Sequence, residues 1–136
     1  MSGAPVDGTW RGQCLCGSVA FTIQGSMSEL SACHCSQCRR QSGHYQVAGV
    51  VAKTAITFEN DETLTWYRSS DFAQRGFCSA CGSALFWDDG SEAMSINIGC
   101  LDQPTGLSLA SHIFVADKGD YYEITDGVPQ AAHYEA

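Results

Sequence analysis

The chain has 136 residues, enough for one domain with a hydrophobic core and too few for two that fold independently. Fifteen acidic residues against seven basic ones leave a formal charge of −8, which excludes the basic footprint of a DNA- or RNA-binding domain. Eight residues are cysteine, and a domain of this size does not need disulfides to fold, so the cysteines require a chemical role.

The N-terminal MSGAPVDGTWRGQ lacks the basic and apolar blocks of a signal peptide, and no segment approaches the roughly 18 apolar residues of a membrane span. The expectation is a soluble cytoplasmic protein with no membrane partner and no nucleic acid partner. In that reducing compartment a cysteine cluster is more often a metal or redox site than a disulfide framework.

Residues 1–8 are small and polar and read as a flexible N-terminal tail, with a single domain over 9–136. Val19, Phe21 and Ile23 alternate with Ala20, Thr22 and Gln24, the period-two signature of a half-buried strand. Ser36 is placed to cap a short helix over Gln37 to Ser42, which Gly43 closes in the left-handed conformation. Segments 44–52 and 107–115 are further strands. Turn chemistry predicts hairpins at Asn60-Asp61, between AITFE and TLTWYR, and at Asp89-Gly90, between SALFW and AMSINIG. Met94, Ile96 and Ile98 alternate with Ser95 and Asn97 as a second half-buried strand, and Phe21, Phe58, Trp66, Phe86 and Trp87 belong to the core. The fold class expected is mainly β with one short helix.

The cysteines fall into Cys14-x-Cys16, Cys33-x-Cys35-x-x-Cys38, Cys78-x-x-Cys81 and a lone Cys100. Zinc suits such groups, since it takes four tetrahedral thiolate or imidazole ligands and closely spaced pairs converge on one ion. Gly17 follows Cys16 and Gly82 follows Cys81, which lets the chain turn tightly behind each sulfur. Cys14, Cys16, Cys78 and Cys81 therefore pair as a closed structural site, with the joining of Cys14 and Cys16 to the Cys33 group as the other arrangement that spacing allows. Cys33, Cys35 and Cys38 have no obvious fourth protein ligand, and three ligands with an open position are the catalytic arrangement of zinc. Cys38 lies in the first helical turn, where the dipole favours a thiolate. The adjacent Arg39 and Arg40 form a candidate anion-binding edge, against the plainer reading of a solvated helix face.

His34, His44, His112 and His133 are the candidate fourth ligands. In an extended segment, however, His34 points away from Cys33 and Cys35, and His112 reads as a hydrogen-bonded core or site-edge residue. Cys100 is most simply a small buried hydrophobe. These features support a zinc enzyme, a non-catalytic zinc module that recognises a protein partner, or a thiol redox sensor built on the Cys33 group.

The blocks GQCLCGSVAF, CHCSQCRRQSG, RGFCSACGSALFW, NIGCLDQPTG and HIFVADKGDYYEITDGVPQ resemble, in order, the glutathione-dependent formaldehyde-activating enzyme family, also typified by centromere protein V. The resemblance spans about Gln13 to Gln130. It implies a β-tent of antiparallel sheets holding two zinc ions per chain. It matches Cys14, Cys16, Cys78 and Cys81 to the structural site, and Cys33, Cys35 and Cys38 to the site at which the founding activity is placed. It also implies a carbon–sulfur lyase-type reaction joining a thiol such as glutathione to a small aldehyde, formaldehyde in the founding case. In this reading the second cysteine group is catalytic and Arg39 and Arg40 bind substrate. The chain departs from the family at Asp120-Tyr121-Tyr122, where many members carry a tryptophan, and at Gly76, where an aromatic residue is common.

Overall fold

The computed structural model describes residues 5–134. Two sheets carry the chain. The smaller is formed by β1 (Val6–Gln13), β2 (Ala20–Met27) and β5 (Ile56–Asn60) in the order β1-β2-β5. The larger is ordered β10-β3-β4-β9-β8-β7-β6, from β3 (Leu30–Cys33), β4 (Gln46–Ala52), β6 (Leu64–Arg68), β7 (Gln74–Cys78), β8 (Ala84–Asp88), β9 (Ala93–Asn97) and β10 (Leu109–Ile113). Every strand pair is antiparallel except β10 with β3, which is parallel. One helix, α1 (Ser36–Ser42), follows β3. No helix among the described residues is long and apolar enough to cross a membrane.

The core lies between the sheets and is filled by alternate strand residues. Phe21 and Ile23 of β2 are fully buried, as are Leu85 of β8 and Ile96 of β9. Phe21 from the small sheet meets Phe86 from the large one at a centroid distance of 5.1 Å, and Phe58 completes the cluster at 5.9 Å from Phe21 and 5.8 Å from Phe86. Trp66 is half-buried against Phe86 at 6.2 Å, whereas Trp87, expected in the core, lies outside it, half-buried against the exposed Phe72 ring at 6.2 Å. At Gly76 an added Cβ would stand 3.0 Å from the Trp66 ring and 3.2 Å from the Phe86 ring, so the space an aromatic side chain would take there is already filled.

The strand alternation of β2, the strands within 44–52 and 107–115, and the Asp89-Gly90 hairpin joining β8 to β9 are all present, with Gly90 at φ 83°. Four further expectations are corrected. First, β1 begins at Val6, so residues 6–8 of the expected tail are strand. Val6 to Gln13 pair residue by residue with Met27 to Ala20, and Ser26 Oγ donates to Asp7 Oδ1 at 2.7 Å. Residues 1–4 of that expected tail lie outside the described residues.

Second, Asn60-Asp61 turns the chain but not into a hairpin, because β5 pairs with β2 while β6 pairs with β7 in the other sheet. Asn60 Oδ1 accepts from the Glu62 N–H at 3.0 Å, a local turn that serves a corner between sheets as well as a hairpin. Third, Ile98 belongs to a 3₁₀ turn over Ile98–Cys100 and not to β9. Fourth, the cap of α1 is Cys35, whose sulfur accepts from the Cys38 N–H at 3.4 Å, while Ser36 is the first helical residue. Gly43 closes the helix in the left-handed conformation at φ 87°, as expected.

Candidate metal centres

The first cysteine group is assembled by two loops that face each other. Cys14 and Cys16 sit in the β1–β2 loop, while Cys78 ends β7 and Cys81 lies in the turn leading to β8. Gly17 at φ 82° and Gly82 at φ 80° adopt the left-handed conformation anticipated behind Cys16 and Cys81. Their N–H groups bond back to the Cys14 and Cys78 carbonyls at 3.1 and 2.7 Å, and the Leu15 N–H donates to Ser83 Oγ at 2.9 Å, joining the loops. The structure thus brings Cys14 and Cys16 to Cys78 and Cys81, not to the Cys33 group.

All four sulfurs lie within 4.8 Å of one another. Around an ion bonded to each at about 2.3 Å, tetrahedral sulfurs stand about 3.8 Å apart. Cys14 to Cys16 is 3.7 Å and Cys16 to Cys78 is 3.9 Å, so this donor set fits a tetrahedral ion. Its surroundings favour the thiolate at Cys78 and Cys81, while burial pushes the Cys14 thiol up. Ser83 Oγ lies 3.2 Å from Cys81 Sγ, and this hydroxyl followed by the Ser83 N–H holds the Cys81 thiol down to about 5. Thr63 Oγ1 lies 3.2 Å from Cys78 Sγ and lowers that thiol, while the Val19 N–H donates to Cys14 Sγ at 3.3 Å.

The second group sits where β3 runs into α1. Cys33 ends the strand, Cys35 caps the helix and Cys38 occupies its first turn. The three sulfurs lie within 4.8 Å of one another, and no fourth histidine, cysteine or carboxylate among the described residues joins them. Cys35 is the thiol that its neighbours favour as a thiolate. Bonds from the Cys33 and Cys38 thiols, helped by backbone N–H groups, hold its thiol far below the ordinary range, and the same bonds push Cys33 up. The set can hold one metal ion and leave a coordination position without a protein ligand.

Two structural partners were not apparent from the sequence. Arg75 on β7 is buried and points its guanidinium at Cys38 Sγ, with Nη1 and Nη2 at 3.8 and 3.7 Å. The only sequence signal was its type, a charged residue within an otherwise buried strand. The other is a chain running away from the sulfurs. His34 points opposite to its cysteine neighbours, as expected, and its Nε2 lies 2.9 Å from His112 Nδ1. His112 Nε2 lies 2.8 Å from Asp126 Oδ2, and Tyr122 Oη lies 3.0 Å from His34 Nδ1. Burial, then the neighbouring His112, lowers His34 to about 4, so it is neutral near pH 7.

The remaining candidates are placed as follows. Arg39 is half-buried with Nε donating to the Asp117 carbonyl at 3.2 Å, Arg40 is exposed, and neither forms a salt bridge among the described residues. His44 is exposed and packs on Tyr45 and Tyr122, and His133 is exposed. Tyr121, at one departure from the family, donates to the Gly43 carbonyl at 3.1 Å and so fastens the end of α1. Cys100 donates to the Asn97 carbonyl at 2.9 Å, and burial raises it to about 12, in keeping with an inert thiol. All eight cysteines are free of disulfides.

An open cleft of about 310 Å³, lined by Gln41, Ser42, Tyr45, Gln46, Gly82 and Asn97 among others, lies between α1 and the turn after Cys81. A larger hollow of about 590 Å³ covers the opposite end of the β1–β2 hairpin and is lined by no cysteine or histidine.

An uncharacterized lyase of Schizosaccharomyces pombe is 27% identical over 120 residues, covering 86% of each chain. A putative glutathione-dependent formaldehyde-activating enzyme of Pyrenophora teres f. teres is 34% identical over 70 residues, 50% of this chain and 37% of its own. Another of that description from Fusarium vanettenii is 32% identical over 81 residues, 58% of this chain and 44% of its own. A crystal structure of a Rhodobacter sphaeroides protein shares the fold with a TM-score of 0.59 at 24% identity, over 71% of this chain and 91% of that one. The family model described as glutathione-dependent formaldehyde-activating enzyme matches residues 9–117, and the chain belongs to that family.

Proposed function

We propose that the protein is a zinc-dependent carbon–sulfur lyase-type enzyme that joins a small thiol such as glutathione to a small aldehyde, formaldehyde or a relative. The observation that carries this reading is the three-sulfur cluster of Cys33, Cys35 and Cys38, which has no fourth protein ligand. The lyase and formaldehyde-activating descriptions of its relatives support the reaction class. Zinc bound there would act as a Lewis acid that favours the thiolate form of an entering thiol and polarises an aldehyde oxygen.

The chain's own residues supply the rest. Cys33, Cys35 and Cys38 are ligands and not nucleophiles. Arg39 and Arg40, in the last turn of α1 beside them, meet a carboxylate of the thiol substrate, Arg39 with the guanidinium nitrogens not spent on Asp117. The amide-lined cleft beside α1 offers hydrogen bonds to a peptide-like thiol. Cys14, Cys16, Cys78 and Cys81 hold a second zinc that ties the β1–β2 loop to the β7–β8 turn and performs no chemistry. Eight free cysteines suit a reducing compartment such as the cytoplasm.

The test is metal content of the wild type beside Cys35→Ser, together with the rate of thiol–aldehyde adduct formation from glutathione and formaldehyde above the uncatalysed rate. Two zinc ions in the wild type, one in Cys35→Ser and an acceleration present only in the wild type are expected. An acceleration equal in both proteins, or none in either, overturns the enzyme and leaves a zinc-binding module.

A further inference from the structure

Arg75 is one of three buried polar residues among those described, with 8% of its surface exposed, and its environment is unusual for a cation. Nε donates to Gln37 Oε1 at 3.2 Å, and Nη1 donates to Gln41 Oε1 at 2.9 Å and Gln46 Oε1 at 3.1 Å. Those three acceptors are neutral. No carboxylate forms a salt bridge with Arg75 among the described residues, although acidic residues outnumber basic ones two to one in the sequence. A buried guanidinium without a counter-charge is costly, because burial removes its hydration and neutral acceptors restore only part of it. The remaining group within reach of both Nη atoms is Cys38 Sγ.

We propose that Arg75 is the built-in counter-ion of the Cys33–Cys35–Cys38 metal site, a positioning residue that sets the site's charge and so its hold on metal and on an incoming thiol. This rests on the reading of that cluster as a zinc site. Three thiolates and one divalent ion carry a net −1, which the guanidinium cancels. A fourth, substrate thiolate then brings the assembly to −1 instead of −2. That difference matters because accumulated negative charge weakens the ion's Lewis acidity and favours loss of the metal to competing thiols. The three glutamines aim the fork at the sulfur, and being neutral they do not compete with it for the positive charge.

The experiment loads full-length wild type, Arg75→Met, Arg75→Gln and Arg75→Lys with zinc, and follows metal transfer to a chromogenic chelator. The same proteins loaded with cobalt are titrated with glutathione and followed by their thiolate-to-cobalt absorption. Wild type should release two ions in two phases. In Arg75→Met the phase belonging to the Cys33 group, identified by its absence in Cys35→Ser, should quicken by about 10- to 100-fold, the range for loss of an outer-shell partner. The other phase should not move, and the cobalt spectrum should respond to glutathione only at higher concentration. Arg75→Lys, which keeps the charge without the fork, should recover much of the wild-type behaviour.

Should Arg75→Met not fold, Arg75→Gln carries the comparison, since its amide can still donate to the same glutamine carbonyls. A neutral variant that releases metal at the wild-type rate overturns the proposal, as does a lysine variant as fast as the neutral one, which would show a role in packing alone. A wild type that holds a single ion, retained in Cys35→Ser, overturns instead the zinc reading of the Cys33 group.

Discussion

His34 Nε2 lies 2.9 Å from His112 Nδ1 across 78 positions of sequence, and this contact sets the direction of a four-group chain. Asp126 is held below the ordinary carboxylate range by the Val128 N–H and then by His112, so it accepts from His112 Nε2–H. His112 Nδ1 is then the acceptor for His34 Nε2–H, and His34 Nδ1 is the acceptor for the Tyr122 hydroxyl. The network thus assigns both imidazole tautomers. It turns His34 away from the sulfurs on either side of it.

Replacing His112 by alanine removes the acceptor of a fully buried N–H and leaves a cavity beside it. A loss of about 2–4 kcal/mol is expected, combining an unsatisfied donor with lost packing. Urea unfolding checks the loss. Zinc content of the Cys33 group should be unchanged in the variant that remains folded, which separates this chain from the metal site.

Cys81→Ser and Cys35→Ser should behave differently. The first weakens the site that ties the β1–β2 loop to the β7–β8 turn, and a fall in stability of more than about 3 kcal/mol, roughly 10 °C in Tm for a domain this size, is expected. The second removes one zinc and shifts Tm by only a few degrees. Differential scanning calorimetry with metal analysis decides it, and equal destabilisation would refute the division into structural and functional sites.

Asp88 supplies the pH dependence. Burial alone would raise its carboxyl, but Lys53 Nζ at 2.8 Å, the Gly90 N–H at 2.8 Å and Gln74 Nε2 at 3.4 Å outweigh it and hold the group below its ordinary 3.8. A depressed carboxyl contributes stability above its unfolded value, and the contribution disappears as pH falls through the folded value. Asp88→Asn is therefore expected to cost about 1 kcal/mol at pH 7 and to converge on the wild type as pH falls below the ordinary carboxylate range and through the lowered folded value. Urea midpoints across that range measure the convergence.

Phe21 is the fully buried member of the aromatic contact between the two sheets, touching Phe58 of its own sheet and Phe86 of the other. Phe21→Ala should cost about 3–5 kcal/mol, the range for a large buried aromatic. A fall below about 1 kcal/mol in chemical unfolding would mean that the sheets pack through other residues.

Local features of this protein were legible in the sequence because they depend on neighbours a few positions apart. The period-two alternation of Val19 to Gln24, the helix between Ser36 and Gly43, the Asp89-Gly90 turn and the internal spacing of each cysteine group are of this kind, and each is present. The glycines behind Cys16 and Cys81 even pointed to the right partner, since both take the same left-handed turn.

What the tertiary structure decided are relationships with no local signature. Asn60-Asp61 has the chemistry of a tight turn, but whether the next strand returns to its predecessor or crosses to another sheet depends on which apolar face needs covering, and β6 went to β7. Arg75 reads as an ordinary strand charge until folding buries it against Cys38, 37 positions away. His34 and His112 met because β10 lies parallel to β3, a pairing that brings together segments remote in the chain. Residue type and spacing determined which chemistry was available, while the counter-ion, the buried histidine chain and the meeting of the two cysteine loops required the sheets to form, since only packing brings such distant groups within a few ångströms.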